Sequence, residues 1–341
     1  MIENLLSLEN VITSYESTQK GKSKFKVDAI IFAQNPESNL IHLIDDIVSG
    51  EYVPKGYTVF TVKEPKERVI YAPYYRDKIV HHMVNNVLRE HFEPLYIKDS
   101  YACIRGRGQL ACIDTIQKMI RSAKRNLKNP YIVKADISKF FYSIDRSVLK
   151  DILKKSVPCD LTYTITSAII DSSPTDKGLP LGNLTSQQLA NIYLNEIDQY
   201  CKRTIRLKYY TRYADDFCII VDGKDEANRV LKLIRERLSL VLKLSIPLRK
   251  CIAKPLSMGF HGLGVKIYST HISMNSRTKR RFERYCRNLS SVNSDLNNRR
   301  CSSMYAYVSN FCHHNFLVSM LSKYNNLSYI KQRRTIKRCY P

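Results

Sequence analysis

An α+β fold, a small sheet set among many helices, is predicted by three features of the chain. The first is a hairpin over residues 208–221, in which the β-rich runs 209–213 and 217–221 flank a tight Ala214-Asp215-Asp216 tip. The second is the short apolar run 131–136, which ends on Asp136 and reads as a buried strand. The third is the helical spacing of apolar residues on either side of these strands.

Residues 1–130 read as mostly helical with one hairpin. Residues 39–48 are apolar-periodic, and residues 51–53 and 57–62 are strand-like. A Lys-Glu-Pro-Lys-Glu turn then leads to a further strand over 68–71. Residues 77–91 carry Ile79, Met83 and Val87 near helical spacing. After the central strand, residues 145–155 and 185–198 read as helices, the second with Leu189, Ile192, Tyr193 and Ile197 on one face. Residues 227–244 form an amphipathic helix, and 277–289, 304–324 and 329–338 form basic ones. The Ser- and Asn-rich stretch 290–303 is expected to be a flexible loop.

At 341 residues the chain is long enough for two or three packed lobes. No apolar run approaches a membrane span, and the N-terminus lacks the basic-then-apolar pattern of a signal peptide. A soluble, intracellular, cytoplasmic protein is expected. Ten cysteines are scattered without a Cys-x-x-Cys pair, which argues against a disulfide framework or zinc ribbon. Cys312-His313-His314, with Cys286 and Cys301 nearby, is the one cluster that invites a test for metal. Net charge is the strongest compositional signal, at +24. Fourteen Lys and Arg against two acidic residues lie between 277 and 338, half of the total. So one-sided an excess points to a polyanionic partner, a nucleic acid.

Adjacent carboxylates at a hairpin tip repel each other unless a cation sits between them, and hard divalent cations take carboxylate oxygens. The alternative is a solvated turn, for which Asp is well suited. Asp136 adds a third carboxylate upstream.

Three blocks follow in order: Asp136-Ile137-Ser138-Lys139-Phe140-Phe141, then Gly178-Leu179-Pro180-Leu181-Gly182-Asn183-Leu184-Thr185-Ser186-Gln187, then Tyr213-Ala214-Asp215-Asp216. Together they resemble the palm of reverse transcriptases, and the resemblance runs from about residue 57 to 267. It implies a right-hand polymerase, with helical fingers (1–130), a palm of ferredoxin-like antiparallel sheet plus helices (131–268) and a basic helical thumb (269–341). The implied activity is RNA-directed DNA polymerisation with two Mg²⁺ ions, Mn²⁺ being a substitute. Asp136, Asp215 and Asp216 then become catalytic metal ligands, joined by the Ile137 carbonyl. Lys250 is implied as a donor to pyrophosphate. Arg68, Phe141, Leu181, Gly182 and Gln187 are assigned to the incoming nucleotide. Within that set Arg68 meets the phosphates and Phe141 excludes a 2′-hydroxyl. The bland alternatives are a surface cation for Arg68, and core packing for Phe141 and Leu181. Ser100-Tyr101-Ala102-Cys103-Ile104-Arg105-Gly106-Arg107-Gly108 resembles a family block that meets nucleic acid, through Arg105 and Arg107 here. Arg280, Arg281 and Arg284 are the thumb candidates for the same polymer. Cys251, Gly262 and Val265 depart from the family's pattern in the primer-grip region.

Leu181-Gly182 followed by Ser186-Gln187 is similar to the string carried by diversity-generating retroelement reverse transcriptases. The related phage-defence enzymes, working with a dedicated non-coding RNA, are the alternative. A catalytically inert nucleic-acid-binding scaffold and an RNA-directed RNA polymerase are the rivals of other classes, opposed by the three aspartates and by Phe141 respectively. Implied partners are an RNA template, a DNA primer and dNTPs. A dedicated structured RNA, and a small accessory protein or second polymerase subunit, are further candidates.

Overall fold

In a computed structural model of the chain, residues 2–63, 66–291 and 295–311 are described, together with Phe316, Ser319, Met320 and Lys323. Helices α1 (Ile2–Leu5), α2 (Leu8–Thr18), α3 (Val27–Phe32) and α4 (Pro36–Val48) precede a hairpin of β1 (Tyr57–Val62) and β2 (Arg68–Pro73). Then come α5 (Tyr75–Phe92), α6 (Gln109–Asn126), β3 (Pro130–Asp136), α7 (Phe140–Ser143), α8 (Arg146–Ser156), α9 (Asp160–Asp171) and α10 (Leu184–Gln199). The pair β4 (Tyr209–Tyr213) and β5 (Asp216–Asp222) leads to α11 (Lys224–Leu242), β6 (Cys251–Pro255), β7 (Phe260–Gly262), β8 (Val265–Ile267) and β9 (Ile272–Met274). Helices α12 (Ser276–Ser291) and α13 (Asp295–Val308) close the described chain. It is a mixed fold of helices and antiparallel sheet.

The chain divides into two compact units, one of residues 1–108, 133–219 and 228–252, the other of 109–132, 220–227 and 253–341. In the first unit α5 packs against α2, α3, α9 and α10. Ile79, Val80, Met83 and Val84 of α5 are fully enclosed, removing apolar surface worth roughly 1.5–3 kcal/mol per side chain. The expected one-sided face of α10 is exceeded, because Leu189, Ala190, Ile192, Tyr193 and Leu194 are all buried and the helix is covered all round over residues 188–194. Strand order in the four-stranded sheet is β4-β5-β3-β6. Both faces of β4 and β5 are covered, β5 by way of the apolar run 217–221 and β4 with Thr211 and Arg212 enclosed among its tyrosines.

In the second unit β7, β8 and β9 form an antiparallel sheet, and α12 packs on α13. A side chain at Gly262 would meet the Phe260 ring at 2.4 Å, which accounts for the glycine at that departure from the family pattern. On α12, Phe282 and Cys286 are buried whereas Arg277, Arg280, Arg284 and Arg287 are exposed, at helical spacing.

Two local expectations are corrected. Residues 51–53 are not a strand: Tyr52 is buried and its hydroxyl donates to Asp77 Oδ1 at 3.1 Å, so a side-chain contact fixes that segment. Of the stretch 290–303, residues 290–291 end α12 and residues 295–303 belong to α13 rather than to a loop, while residues 292–294 lie outside the described residues. Residues 329–338, most of 312–324 and the Cys312-His313-His314 cluster lie outside the described residues. Among the described residues no helix is long and apolar enough to cross a membrane.

Candidate active site

The site is built on the ends of β3, β4, β5 and β6 that lie in the first unit. Asp136 closes β3, and Asp215 and Asp216 follow the turn out of β4. The Ile137 N–H donates to the Asp215 carbonyl at 3.4 Å, so the third carboxylate is drawn beside the other two by main-chain contact. Ala214 turns the tip with φ +53°, a left-handed conformation unusual for alanine. Burial, and then the charges of Asp136 and Asp216, push the Asp215 carboxyl up to about 6. Asp216 is raised as well, by burial first, although Lys134 acts against the shift.

Two ammonium groups already answer this negative charge. Lys250 Nζ donates to Asp136 Oδ1 at 2.8 Å and to the Ile137 carbonyl at 3.3 Å. Lys134 Nζ stands 3.4 Å from Asp216 Oδ1, yet that buried oxygen makes no hydrogen bond of good geometry. Among the described residues no three carboxylate, imidazole or thiolate side chains are spaced to hold one ion as they stand. The donors are nevertheless hard oxygens that already attract cations, and an unsatisfied carboxylate oxygen remains, so their chemistry fits a divalent cation such as Mg²⁺.

Residues 178–182 join this cluster to the other predicted nucleotide-side positions. The Leu179 N–H donates to the Phe141 carbonyl at 2.7 Å and the Gly178 N–H to that of Ile144 at 3.1 Å. A Cβ on Gly178 would fall 2.3 Å from the Phe141 carbonyl oxygen, so only glycine permits the approach. Three residues on, the Tyr71 N–H donates to the Leu181 carbonyl at 2.7 Å, and one further a Cβ on Gly182 would meet Ile70 at 2.6 Å. The loop is thus wedged between the Phe141 turn and β2, the strand that starts at Arg68. Phe140 is the core aromatic, and Phe141 is only half-buried against it, ring centroids 5.4 Å apart. Arg68 and Gln187 are exposed, and Leu181 is half-buried.

The remaining candidates divide. Arg105 is exposed, whereas Arg107 Nη1 donates to the carbonyls of Ile97, Lys98 and Ser100 and braces its own loop. In the second unit Arg280 and Arg284 are exposed, while Arg281 lies half-buried with Nη2 3.6 Å from Met304 Sδ.

Sequence reasoning missed Arg212 and Asp198. Both are fully buried, and Arg212 Nε donates to Asp198 Oδ1 at 2.8 Å. Nη2 donates to Oδ2 at 2.5 Å, and the Tyr210 hydroxyl donates to the same carboxylate at 2.5 Å. Removing one partner of such a pair costs roughly 3–5 kcal/mol. The available signal was a lone charged residue in a strand otherwise made of tyrosine and threonine.

Residues 56–267 match the family model described as reverse transcriptase (RNA-dependent DNA polymerase). The chain belongs to that family. RNA-directed DNA polymerisation is accordingly its reaction class, and the chain is an enzyme. Protein YkfC of Escherichia coli K12 is 24% identical over 267 residues, covering 66% of this chain and 70% of that protein. The group II intron-encoded protein LtrA of Lactococcus lactis subsp. cremoris is 24% identical over 175 residues, 48% of this chain and 28% of LtrA. Apo telomerase from Candida tropicalis, truncated of its C-terminal domain, superposes with a TM-score of 0.52 at 14% identity over 64% of this chain and 55% of its own. Telomerase from the same organism with a fragment of telomeric RNA gives 0.51 at 12% identity over 85% and 58%. These likenesses establish the right-hand polymerase fold.

Proposed function

We propose that this chain copies an RNA template into DNA with Asp136, Asp215 and Asp216 as its metal-binding carboxylates. The convergence of those three at one end of the sheet, tied by the Ile137–Asp215 contact, carries the reading. These side chains and the Ile137 carbonyl would hold two Mg²⁺ ions, or Mn²⁺ in their place, which would supply neutralisation of phosphate charge and activation of the primer 3′-hydroxyl. The 3′-hydroxyl gives its proton to solvent water, its oxygen forms a bond to the α-phosphorus of the dNTP, and the bond to pyrophosphate breaks with the electron pair leaving on pyrophosphate. Lys250 leaves Asp136 and donates to the departing pyrophosphate. Arg68 meets the triphosphate and Phe141 closes the space of a ribose 2′-hydroxyl, while Leu181, Gly182 and Gln187 border the nucleotide. Arg105, Arg107, Arg280, Arg281 and Arg284 serve the template–primer backbone, although Arg107 and Arg281 also have the structural contacts given above. Fingers (1–130), palm (131–268) and thumb (269–341) are the corresponding division of labour.

The Leu181-Gly182 and Ser186-Gln187 string favours a diversity-generating retroelement over the phage-defence alternative, and both readings accommodate a dedicated RNA and an accessory protein. Primer extension by the purified chain on a defined RNA with Mg²⁺ tests the core of the proposal. dNTP incorporation is expected, abolished in Asp215→Ala and in Asp216→Ala with RNA binding retained. Full extension by both variants overturns the reading. RNA binding without synthesis favours the scaffold, and preferential rNTP use favours an RNA polymerase.

A further inference from the structure

The buried pair of Asp198 and Arg212 does more than neutralise itself. While Nε and Nη2 of the guanidinium face Asp198, the remaining nitrogen, Nη1, donates to the Ala214 carbonyl at 3.0 Å. Ala214 is the residue in the left-handed turn immediately before Asp215 and Asp216. We propose that Arg212 is a positioning residue for catalysis: anchored by Asp198, it holds the Ala214 carbonyl and so aims the two tip aspartates at Asp136. The proposal rests on the reading of the tip as a metal site.

Stability alone gives a weak reason for such a pair. Well-packed apolar residues in place of a buried ion pair are often neutral or stabilising, since both charges must be desolvated. A planar guanidinium, however, offers donors in a rigid fork, and here the fork spans a carboxylate on α10 and a carbonyl at the tip. An alanine in a left-handed turn has an intrinsic cost and needs an outside hold. That hold comes from two sides, Arg212 through the Ala214 carbonyl and Ile137 through the Asp215 carbonyl. The same residue ties in the basic loop. Its N–H donates to the Asp99 carbonyl at 3.0 Å and its carbonyl accepts from the Tyr101 N–H at 3.0 Å. Asn191 accepts from Arg212 Nη1 at 3.4 Å and donates to the Ala102 carbonyl at 2.8 Å. The loop carrying Arg105 and the carboxylate tip therefore share one support.

Two variants of the full chain separate positioning from stability. Arg212→Lys keeps a cation for Asp198, but a single ammonium cannot reproduce a fork that reaches both Asp198 and Ala214. Arg212→Met with Asp198→Asn removes both charges, leaves an acceptor for the Tyr210 hydroxyl, and lacks the bond to Ala214. Three readouts are taken below the melting temperature of each protein: Mn²⁺ binding to the free chain by electron paramagnetic resonance, kcat and dNTP KM for primer extension, and thermal unfolding. The double variant is expected to be more stable than Arg212→Met alone. In both test variants Mn²⁺ binding should weaken about tenfold and kcat fall roughly 10- to 100-fold, with KM changed less than threefold. Parental Mn²⁺ binding and kcat in the double variant, tracking its recovered stability, overturn the positioning role. If the double variant does not fold, the same comparison in Arg212→Lys decides. Asp215→Ala distinguishes the underlying reading: parental Mn²⁺ binding in that variant overturns the metal site itself, and with it the proposal. Weakened binding there, with parental binding in both Arg212 variants, overturns positioning alone.

Discussion

Two antiparallel hairpins carry the acidic tip and the arginine proposed for the nucleotide, and they are built in opposite ways. The β4–β5 pair is buried along nearly its whole length, with Tyr210, Phe217 and Ile219 fully enclosed and the Asp198–Arg212 pair beneath its tip. The β1–β2 pair, from which Arg68 projects, is exposed along β1 from Thr58 onward, with Val59 and Phe60 about half-exposed. One main-chain bond from Tyr71 to Leu181 and the close approach of Gly182 to Ile70 and Tyr71 attach β2 to the loop. Carboxylates that must share cations need fixed geometry, and the rigid hairpin supplies it. On the proposed reading a cation that meets a mobile triphosphate does not, and a largely exposed hairpin, held otherwise by the Tyr57 hydroxyl against Ser172 Oγ at 2.9 Å, is suited to engage and release one.

For the exposed hairpin, the largest expected effect comes from breaking its attachment. At Gly182 φ is +114° and a Cβ would lie 2.6 Å from Ile70 and 2.8 Å from the Tyr71 carbonyl oxygen. Gly182→Ala should lower kcat/KM for dNTP about 100-fold, through a β2 pushed off the loop. Gly223→Ala, at φ +91° with open space around it, is the control. It should lose about 1 kcal/mol of stability and keep parental kinetics. Equal kinetic losses at both positions would make the attachment irrelevant.

Removing the exposed cation comes next. Arg68→Ala should raise dNTP KM roughly tenfold and leave the melting temperature within a degree or two, because the side chain is exposed. A large loss of stability with unchanged KM would assign Arg68 to the hairpin rather than to the nucleotide.

The rigid hairpin should show the opposite bias, function held at a cost in stability. Asp215 titrates at about 6 in the folded chain against an ordinary 3.8. Between those values the folded state binds more protons than the unfolded one, so stability falls as pH rises through that window and the deficit persists at neutral pH. Asp215→Asn should therefore stabilise the metal-free chain at pH 8, on the order of 1 kcal/mol after allowance for partial solvent screening. At pH 3.5 the gain should vanish. Melting curves at the two pH values check the sign, and destabilisation at pH 8 would contradict it.

The smallest effect concerns Leu181, whose carbonyl is committed to Tyr71 but whose side chain is half-buried and apolar. On the proposed reading, glutamine there would add a directional amide beside the incoming nucleotide. One net hydrogen bond of about 0.5–1.5 kcal/mol should lower misincorporation roughly two- to tenfold. Sequencing of cDNA from a defined RNA template by Leu181→Gln measures it. An unchanged error spectrum at unchanged activity would return Leu181 to packing, and would remove support for the retroelement reading.

What the sequence alone determined was local and periodic. Alternation and β-rich composition marked β1, β2, β3, β4 and β5, and helical spacing marked α5, α8, α10, α11 and α12, with boundaries moved by one to three residues in most cases. The order of the acidic and glycine-rich blocks was also legible, because the chemistry of closely spaced carboxylates and glycines is written in neighbouring positions. Tertiary structure decided everything that depends on a distant partner. Only the fold sets Lys250 against Asp136, 114 residues away, and turns Arg107 back onto its own loop. Only the fold buries Arg212, since an arginine within a strand reads as a surface residue until a carboxylate on another element is there to receive it. Residues 51–53 lost their strand to the contact of Tyr52 with Asp77 for the same reason. Periodicity reports which face of an element is apolar, but the free energy of burying a charge or a hydroxyl depends on what stands opposite it, and that is a property of the assembled fold.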